Sequence, residues 1–261
     1  MKYLVAGLGN IGKEYNHTRH NIGFEILDAL ASASNIVFED RRYGFVSEYK
    51  YKGRTFILLR PTTYVNLSGR AVNYWLKKED IPLSNLLVIC DDLALPFGTV
   101  RLKSRGSDGG HNGLRNINEV LGTDGYARLR FGIGDNFHKG YQVDYVLGKW
   151  SREEEKELPF LVEESITVIR NFGTIGVDRA MNLCNTRKKE IPENPKATPK
   201  VKVPGAMKAP GKGKESEKGN FTEKDITPSG GGKSALSGDP ALPDTGGQAT
   251  SGASGVQNGN V

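Results

Sequence analysis

Leu86-Leu87-Val88-Ile89-Cys90-Asp91-Asp92 carries more of the architecture than any other heptapeptide in the chain. Five apolar residues without a polar break suit a strand buried on both faces, the kind found in sheets covered by helices on each side. The run ends on two carboxylates, so this strand delivers Asp91 and Asp92 to its C-terminal edge. Outward from it the pattern alternates. Lys2 to Ala6 reads as a buried first strand, closed by Gly7-Leu8-Gly9-Asn10-Ile11-Gly12, and a polar loop runs on to Asn21. Asn21 is placed to cap a helix whose apolar face is Phe24, Ile26, Leu27, Leu30 and Ala31. Tyr43 to Tyr49 and Arg54 to Leu59 form a hairpin through Lys52-Gly53, and Ser68 caps a second helix through Lys78. Beyond the central run come a short strand at Val100 to Leu102, a glycine-rich loop from Gly106 to Gly113 and a helix from Leu114 to Leu121. A strand at Ala127 to Ile133 and helices at Glu153 to Asn171 and Val177 to Asn185 follow. The expected fold is α/β: a single domain with a mixed, twisted sheet and helices on both faces.

That pattern stops near Arg187. Residues 188–261 run to Lys, Pro, Gly, Ser and Thr, with too little apolar area to offset chain entropy, so a disordered tail is expected. The expected division is therefore a folded domain over 1–187 and a low-complexity segment over 188–261. The chain holds 36 Lys and Arg against 30 Asp and Glu, a net +6, and the last segment contributes 11 basic and 8 acidic residues to it. A mildly basic folded part fits local contact with one nucleic acid better than a surface that coats DNA. Cys90 and Cys184 belong to no C-x-x-C pair, so neither zinc nor a disulfide framework is indicated. No stretch is apolar enough to be a signal peptide or a membrane span, and a cytoplasmic location is expected. In the tail, Gly230-Gly231-Gly232-Lys233-Ser234 lacks the first glycine of a P-loop. Leu242-Pro243-Asp244-Thr245-Gly246 fits the wall-anchoring pattern without the apolar segment that should follow it.

In an open α/β sheet, ligands bind beyond the carboxyl ends of the strands. Four loops qualify, after the first strand, the hairpin, the Leu86 strand and the Val100 strand. Gly7-x-Gly9-x-x-Gly12 matches a dinucleotide fingerprint, but eight residues from Lys13 to His20 intervene before a helix starts, and the expected acidic residue arrives late, at Glu39 or Asp40. No cofactor is expected. His20 is a candidate base, since imidazole takes protons near neutral pH, with His17 and His111 as alternatives. Either Asp91 or Asp92 could orient it, by accepting one ring N–H and so fixing the tautomer. No G-x-S-x-G elbow or H-E-x-x-H is present, which leaves no signature of a serine nucleophile or a zinc protease.

Thr18-Arg19-His20-Asn21 resembles the T-R-H-N signature of bacterial-type peptidyl-tRNA hydrolases, and other blocks follow in order. They are Gly7 to Gly12 with Glu14-Tyr15, Arg60-Pro61-Thr62-Thr63-Tyr64-Val65-Asn66-Leu67-Ser68-Gly69, Asp91-Asp92-Leu93, Gly106 to Leu114, and Arg128-Leu129-Arg130-Phe131-Gly132-Ile133-Gly134. The likeness covers Met1 to about Arg187. One departure is Val65, where methionine is common in the family. The resemblance implies His20 as catalytic base, with Asp91 rather than Asp92 behind it. It implies Asn10, Asn66 and Asn112 lining the site, and Lys103 and Arg130 as a clamp on a tRNA phosphate; Tyr15 and Tyr64 are candidates to stack on the terminal adenosine, with aromatic packing in the core the equal alternative. It further implies hydrolysis of peptidyl-tRNA held by its acceptor stem, by a monomer needing no metal. The alternative is a non-catalytic RNA-binding protein on the same fold, like the chloroplast splicing factors that resemble this hydrolase.

Overall fold

Side-chain alternation along the strands sorts the core into two halves, one on each face of a single sheet. The computed structural model describes residues 1–186. The expected tail and its two motifs lie outside the described residues. The strands are β1 (Lys2–Gly7), β2 (Glu39–Arg41), β3 (Gly44–Tyr51), β4 (Arg54–Pro61), β5 (Leu86–Asp92), β6 (Val100–Lys103) and β7 (Ala127–Gly132). The helices are α1 (Ile22–Ala33), α2 (Ser68–Lys78), α3 (Asn112–Leu121), α4 (Gln142–Val146), α5 (Arg152–Ile175) and α6 (Val177–Thr186). Neither β2 nor α4 was expected, being three and five residues long and too short to show a period.

The sheet order is β2-β3-β4-β1-β5-β7-β6. Its middle, β4-β1-β5-β7, is parallel, while β2, β3 and β6 pair antiparallel at the margins. Val5, Phe56, Leu58, Leu87, Ile89, Leu129 and Phe131 point to one face, where residues of α1, α5 and α6 cover them. Leu4, Ala6, Ile57, Leu59, Leu86, Val88 and Cys90 point to the other, beneath α2 and α3. Every residue from Leu86 to Asp91 is buried, because β5 has helices above and below it. Each large aliphatic side chain removed from water in this way contributes about 1.5–3 kcal/mol, so the central strands dominate the packing. Strands with no exposed face read as unbroken apolar runs, which is why Leu86 to Cys90 was legible.

Two caps assigned from sequence are not formed. Asn21 precedes α1 but makes no side-chain cap; its carboxamide instead accepts from Asn10 N–H at 2.8 Å and donates to the Asn10 carbonyl at 2.9 Å. Ser68 is the first residue of α2, not its cap, and its hydroxyl donates to the Val65 carbonyl at 2.8 Å. Both side chains bind a neighbouring loop whose backbone groups are buried and need partners. The α5 start does use its side chains: Ser151 and Glu154 form a reciprocal capping box.

Candidate active site

The loop that ends in His20 is held from both sides before any chemistry is considered. Gly7 and Gly23 let the end of β1 and the first turn of α1 touch, since a Cβ on Gly7 would meet the Gly23 carbonyl oxygen at 2.3 Å. This close approach accounts for the first glycine of the G-x-G-x-x-G pattern by packing. Arg19 is buried. It donates to the Lys149 carbonyl and pairs with Glu154, each at 2.7 Å, and its guanidinium lies 4.4 Å from the Tyr145 ring centre. Thr18 donates to the Tyr15 carbonyl at 2.8 Å. His20 therefore sits between two anchored neighbours.

The sheet brings His20 against the end of β5. His20 Nδ1 lies 2.8 Å from Asp91 Oδ1, and His111 Nε2 lies 3.1 Å from the same oxygen. The three side chains are only 11%, 4% and 8% exposed, and the two imidazole rings lie 4.9 Å apart. The hydrogen bonds of His111 fix the tautomers. Its Nδ1 accepts from Gly113 N–H at 3.1 Å and Leu114 N–H at 3.3 Å, capping α3, so that nitrogen carries the lone pair. The proton is then on Nε2, and His111 donates to Asp91. A carboxylate that accepts from His111 also accepts from His20 Nδ1–H, leaving the His20 Nε2 lone pair without a protein partner among the described residues.

Burial alone would lower the His20 pKa, but the charge and hydrogen bond of Asp91 outweigh it and raise the value above the ordinary 6.5. For Asp91, burial pushes upward and is overcome by the His20 charge and by hydrogen bonds from both histidines, which hold it well below the usual carboxylate range. The result is a base with a strengthened affinity for protons beside a permanently charged acceptor. Cys90, one residue away, is fully buried and its thiol is pushed far up, so it stays protonated and takes no part.

A cleft of about 450 Å³ opens over this cluster, lined in part by Asn10, His20, Asp91 and Asn112, and by Gln142 and Val143 of α4. Asn10 is half-buried, and its carboxamide oxygen accepts from Val65 N–H at 3.1 Å. Asn112 is exposed at the start of α3, next to His111. Asn66 is exposed in the turn before α2, but only its neighbour Val65 lines the cleft. Tyr64 is exposed and Tyr15 half-buried, and neither lines the cleft. The structure thus unites His20, Asp91, Asn10 and Asn112, and sets Asn66, Tyr15 and Tyr64 outside that wall.

A basic edge lies where β6 and β7 pair. Lys103 stands opposite Arg128, and Arg101 opposite Arg130, so Lys103 and Arg130 are diagonal neighbours, both lining the cleft. Arg130 Nε pairs with Asp92 Oδ2. Arg128 is 1% exposed and binds the glycine-rich loop through the Gly106 and Ser107 carbonyls. It also donates to Asn118 Oδ1 and the Asp124 carbonyl, each at 3.2 Å. Sequence reasoning left Arg128 without a role and took His111 as an alternative base that more readily packs or orients its loop, and the structure gives it the cap of α3 and a contact with Asp91. The signals were present: Arg128 shares a strand face with Arg130 by period two, and His111 immediately precedes a helix.

His20, Asp91 and His111 are also the one cluster of metal-ligating side chains among the described residues. Coordination through His111 Nε2 would move the ring proton to Nδ1, against the N–H groups of Gly113 and Leu114. The cluster fits a hydrogen-bonded array better than an ion. Nor is a serine, threonine or cysteine hydrogen-bonded to the His20 ring among the described residues.

An oriented imidazole with a free lone pair, a charged acceptor behind it and carboxamides beside it has the make-up of a general-base site on an α/β sheet, the class to which hydrolases of this architecture belong. The family model for peptidyl-tRNA hydrolase matches residues 4–192. The chain is 56% identical over 188 residues to a peptidyl-tRNA hydrolase of Cytophaga hutchinsonii and 57% identical over 187 residues to one of Bacteroides fragilis. Each alignment covers 72% of this chain and the whole of the relative. The fold superimposes on the crystal structure of peptidyl-tRNA hydrolase from Acinetobacter baumannii with a TM-score of 0.67 at 34% identity, covering 71% of this chain and 95% of that one. This chain belongs to the peptidyl-tRNA hydrolase family.

Proposed function

We propose that this chain hydrolyses the ester joining a peptide, or an N-blocked aminoacyl group, to the terminal ribose of tRNA, and so returns tRNA to translation. The observation that carries the reading is the 2.8 Å contact of His20 Nδ1 with Asp91 Oδ1, which turns the opposite ring nitrogen into an oriented base. His20 Nε2 takes a proton from water as its oxygen attacks the ester carbonyl carbon. Asp91 steadies the imidazolium that forms. Collapse of the tetrahedral intermediate breaks the bond to the ribose oxygen, which leaves with the proton held by His20. The products are the free peptide acid and deacylated tRNA. Asn10 and Asn112 offer amide donors for the carbonyl oxygen as it gains charge. Asn66, Tyr15 and Tyr64 are assigned to the outer path of the peptide and the terminal adenosine. No metal enters these steps.

Lys103 and Arg130 are assigned to a phosphate of the acceptor stem. Such contacts set register without reading sequence, which suits a substrate that is any tRNA. The enzyme is read as a monomer acting in the cytoplasm; no described helix is long and apolar enough to cross a membrane. Residues 1–187 are taken as the hydrolase domain, with 188–261 as an appended low-complexity segment. The alternative of a non-catalytic RNA-binding protein has no observation in its favour.

Release of N-acetyl-aminoacyl groups from tRNA tests the reading. His20→Ala is expected to lose roughly 10²–10⁴-fold in turnover while tRNA binding persists. Wild-type hydrolysis by clean His20→Ala enzyme overturns the assignment. Replacing Lys103 or Arg130 by Ala is expected to weaken binding and to lower the slope of log K against log salt by about one; an unchanged slope rejects the clamp.

A further inference from the structure

Asp91 and Asp92 adjoin in sequence and serve different partners in space. Asp91 faces the two imidazoles, whereas Asp92 accepts from Ala94 N–H at 2.8 Å through Oδ1 and pairs with Arg130 Nε through Oδ2. Asp92 is therefore anchored by the turn that follows β5, and its carboxylate meets a guanidinium that lines the cleft. The Asp92 side chain is 14% exposed and that of Arg130 26%, so the pair is screened less than an ion pair in open solvent. Among the described residues the two terminal nitrogens of Arg130 have no hydrogen-bond partner, so they are left for another anion, with a negative charge already at their back.

We propose that Asp92 is a positioning and attenuating residue for the phosphate contact. Its oxygen holds the Arg130 guanidinium in one orientation, and its charge weakens the hold on a tRNA phosphate. The inference rests on the assignment of Lys103 and Arg130 to a phosphate. A phosphate of the acceptor stem is the same group in substrate and in deacylated product. Energy spent on it is uniform binding, which lowers KM and retards product release without lowering the barrier to ester cleavage. An enzyme that must accept every tRNA and then let it go gains from a clamp that is oriented but weak. Asp92 supplies both properties at once.

Affinity for deacylated tRNA, measured across a salt series in the full chain, tests this. Asp92→Asn removes the charge and keeps one acceptor oxygen, which can serve Arg130 Nε while the Ala94 N–H turns to water. It is expected to tighten binding roughly three- to fivefold at low salt and to lower KM in the same proportion. In an Arg130→Ala background the same substitution is expected to change affinity less than twofold, since the cycle isolates what passes through Arg130. No tightening by Asp92→Asn, or equal tightening in both backgrounds, overturns the proposal. A separate failure is visible: if Arg130→Ala alone leaves affinity and salt slope unchanged, the phosphate assignment itself is wrong. Thermal denaturation checks that each variant folds, and Asp92→Ser, which also keeps an oxygen acceptor, replaces Asp92→Asn if that one does not.

Discussion

Asp91→Asn isolates the charge behind the base. The asparagine oxygen has the shape to accept from His20 and His111, so the packing of three nearly buried side chains survives while the negative charge goes. With Nδ1 and Oδ1 2.8 Å apart, the charge centres of an imidazolium and a carboxylate lie about 4 Å from each other. At an effective dielectric of about 20 their attraction is about 4 kcal/mol, and a hydrogen bond to neutral Asn returns about 1 of it. A loss of about 3 kcal/mol corresponds to a turnover on the order of 10²-fold slower. The pH profile supplies a second readout. His20 acts in its neutral form, and Asp91 raises its pKa, so the wild-type rate rises with pH through a value above 6.5. Without the charge that limb moves to lower pH even as the maximum falls. Single-turnover release from N-acetyl-aminoacyl-tRNA between pH 5 and 9 measures both. A variant within threefold of wild type, or an acid limb that stays in place, refutes the role given to Asp91.

Three further outcomes follow from named contacts. His111→Ala removes both the α3 cap and one donor to Asp91, and is expected to cost about 1–3 kcal/mol in urea denaturation. His111→Asn restores the cap alone, so it should recover stability more than activity; equal recovery of both would count against the contact with Asp91. Arg128→Met leaves the Gly106 and Ser107 carbonyls without their donor and is expected to destabilise by about 1–3 kcal/mol and to raise KM as the glycine-rich loop loosens, whereas a variant with wild-type melting would show the loop to be held elsewhere. Glu25, half-buried on α1, has its carboxyl pushed up to about 7 chiefly by burial, which outweighs the lowering pull of the Trp150 indole, with a smaller push from the Asp28 charge. Its contribution is fully present below the unfolded pKa near 4.5 and is lost as pH rises through 7, at most about 3 kcal/mol over that window. The difference in stability between wild type and Glu25→Gln should change by that order from pH 5 to pH 8, and a difference independent of pH would place Glu25 in contact with water.

The sequence alone determined the order of the longer strands and helices from β1 to α6, though not β2 or α4, because buried parallel strands and amphipathic helices leave periods of their own in the residue types while elements of three to five residues do not. It also determined the polar loops at one edge of the sheet, since strand direction fixes where each chain segment exits. What it left open depended on contacts between distant segments. Asp91 and Asp92 are adjacent carboxylates of identical type, and only the packing of His20 and His111 over one and Arg130 beside the other gave them separate tasks. Asn21 and Ser68 stood at helix starts and looked like caps, yet buried backbone groups of Asn10 and Val65 took their side chains. The tautomer of His111 was beyond any local pattern, because it is set by two backbone donors on one side and a carboxylate from β5 on the other. Local composition decides which element forms; tertiary contact decides which atom of a polar side chain is left over for chemistry.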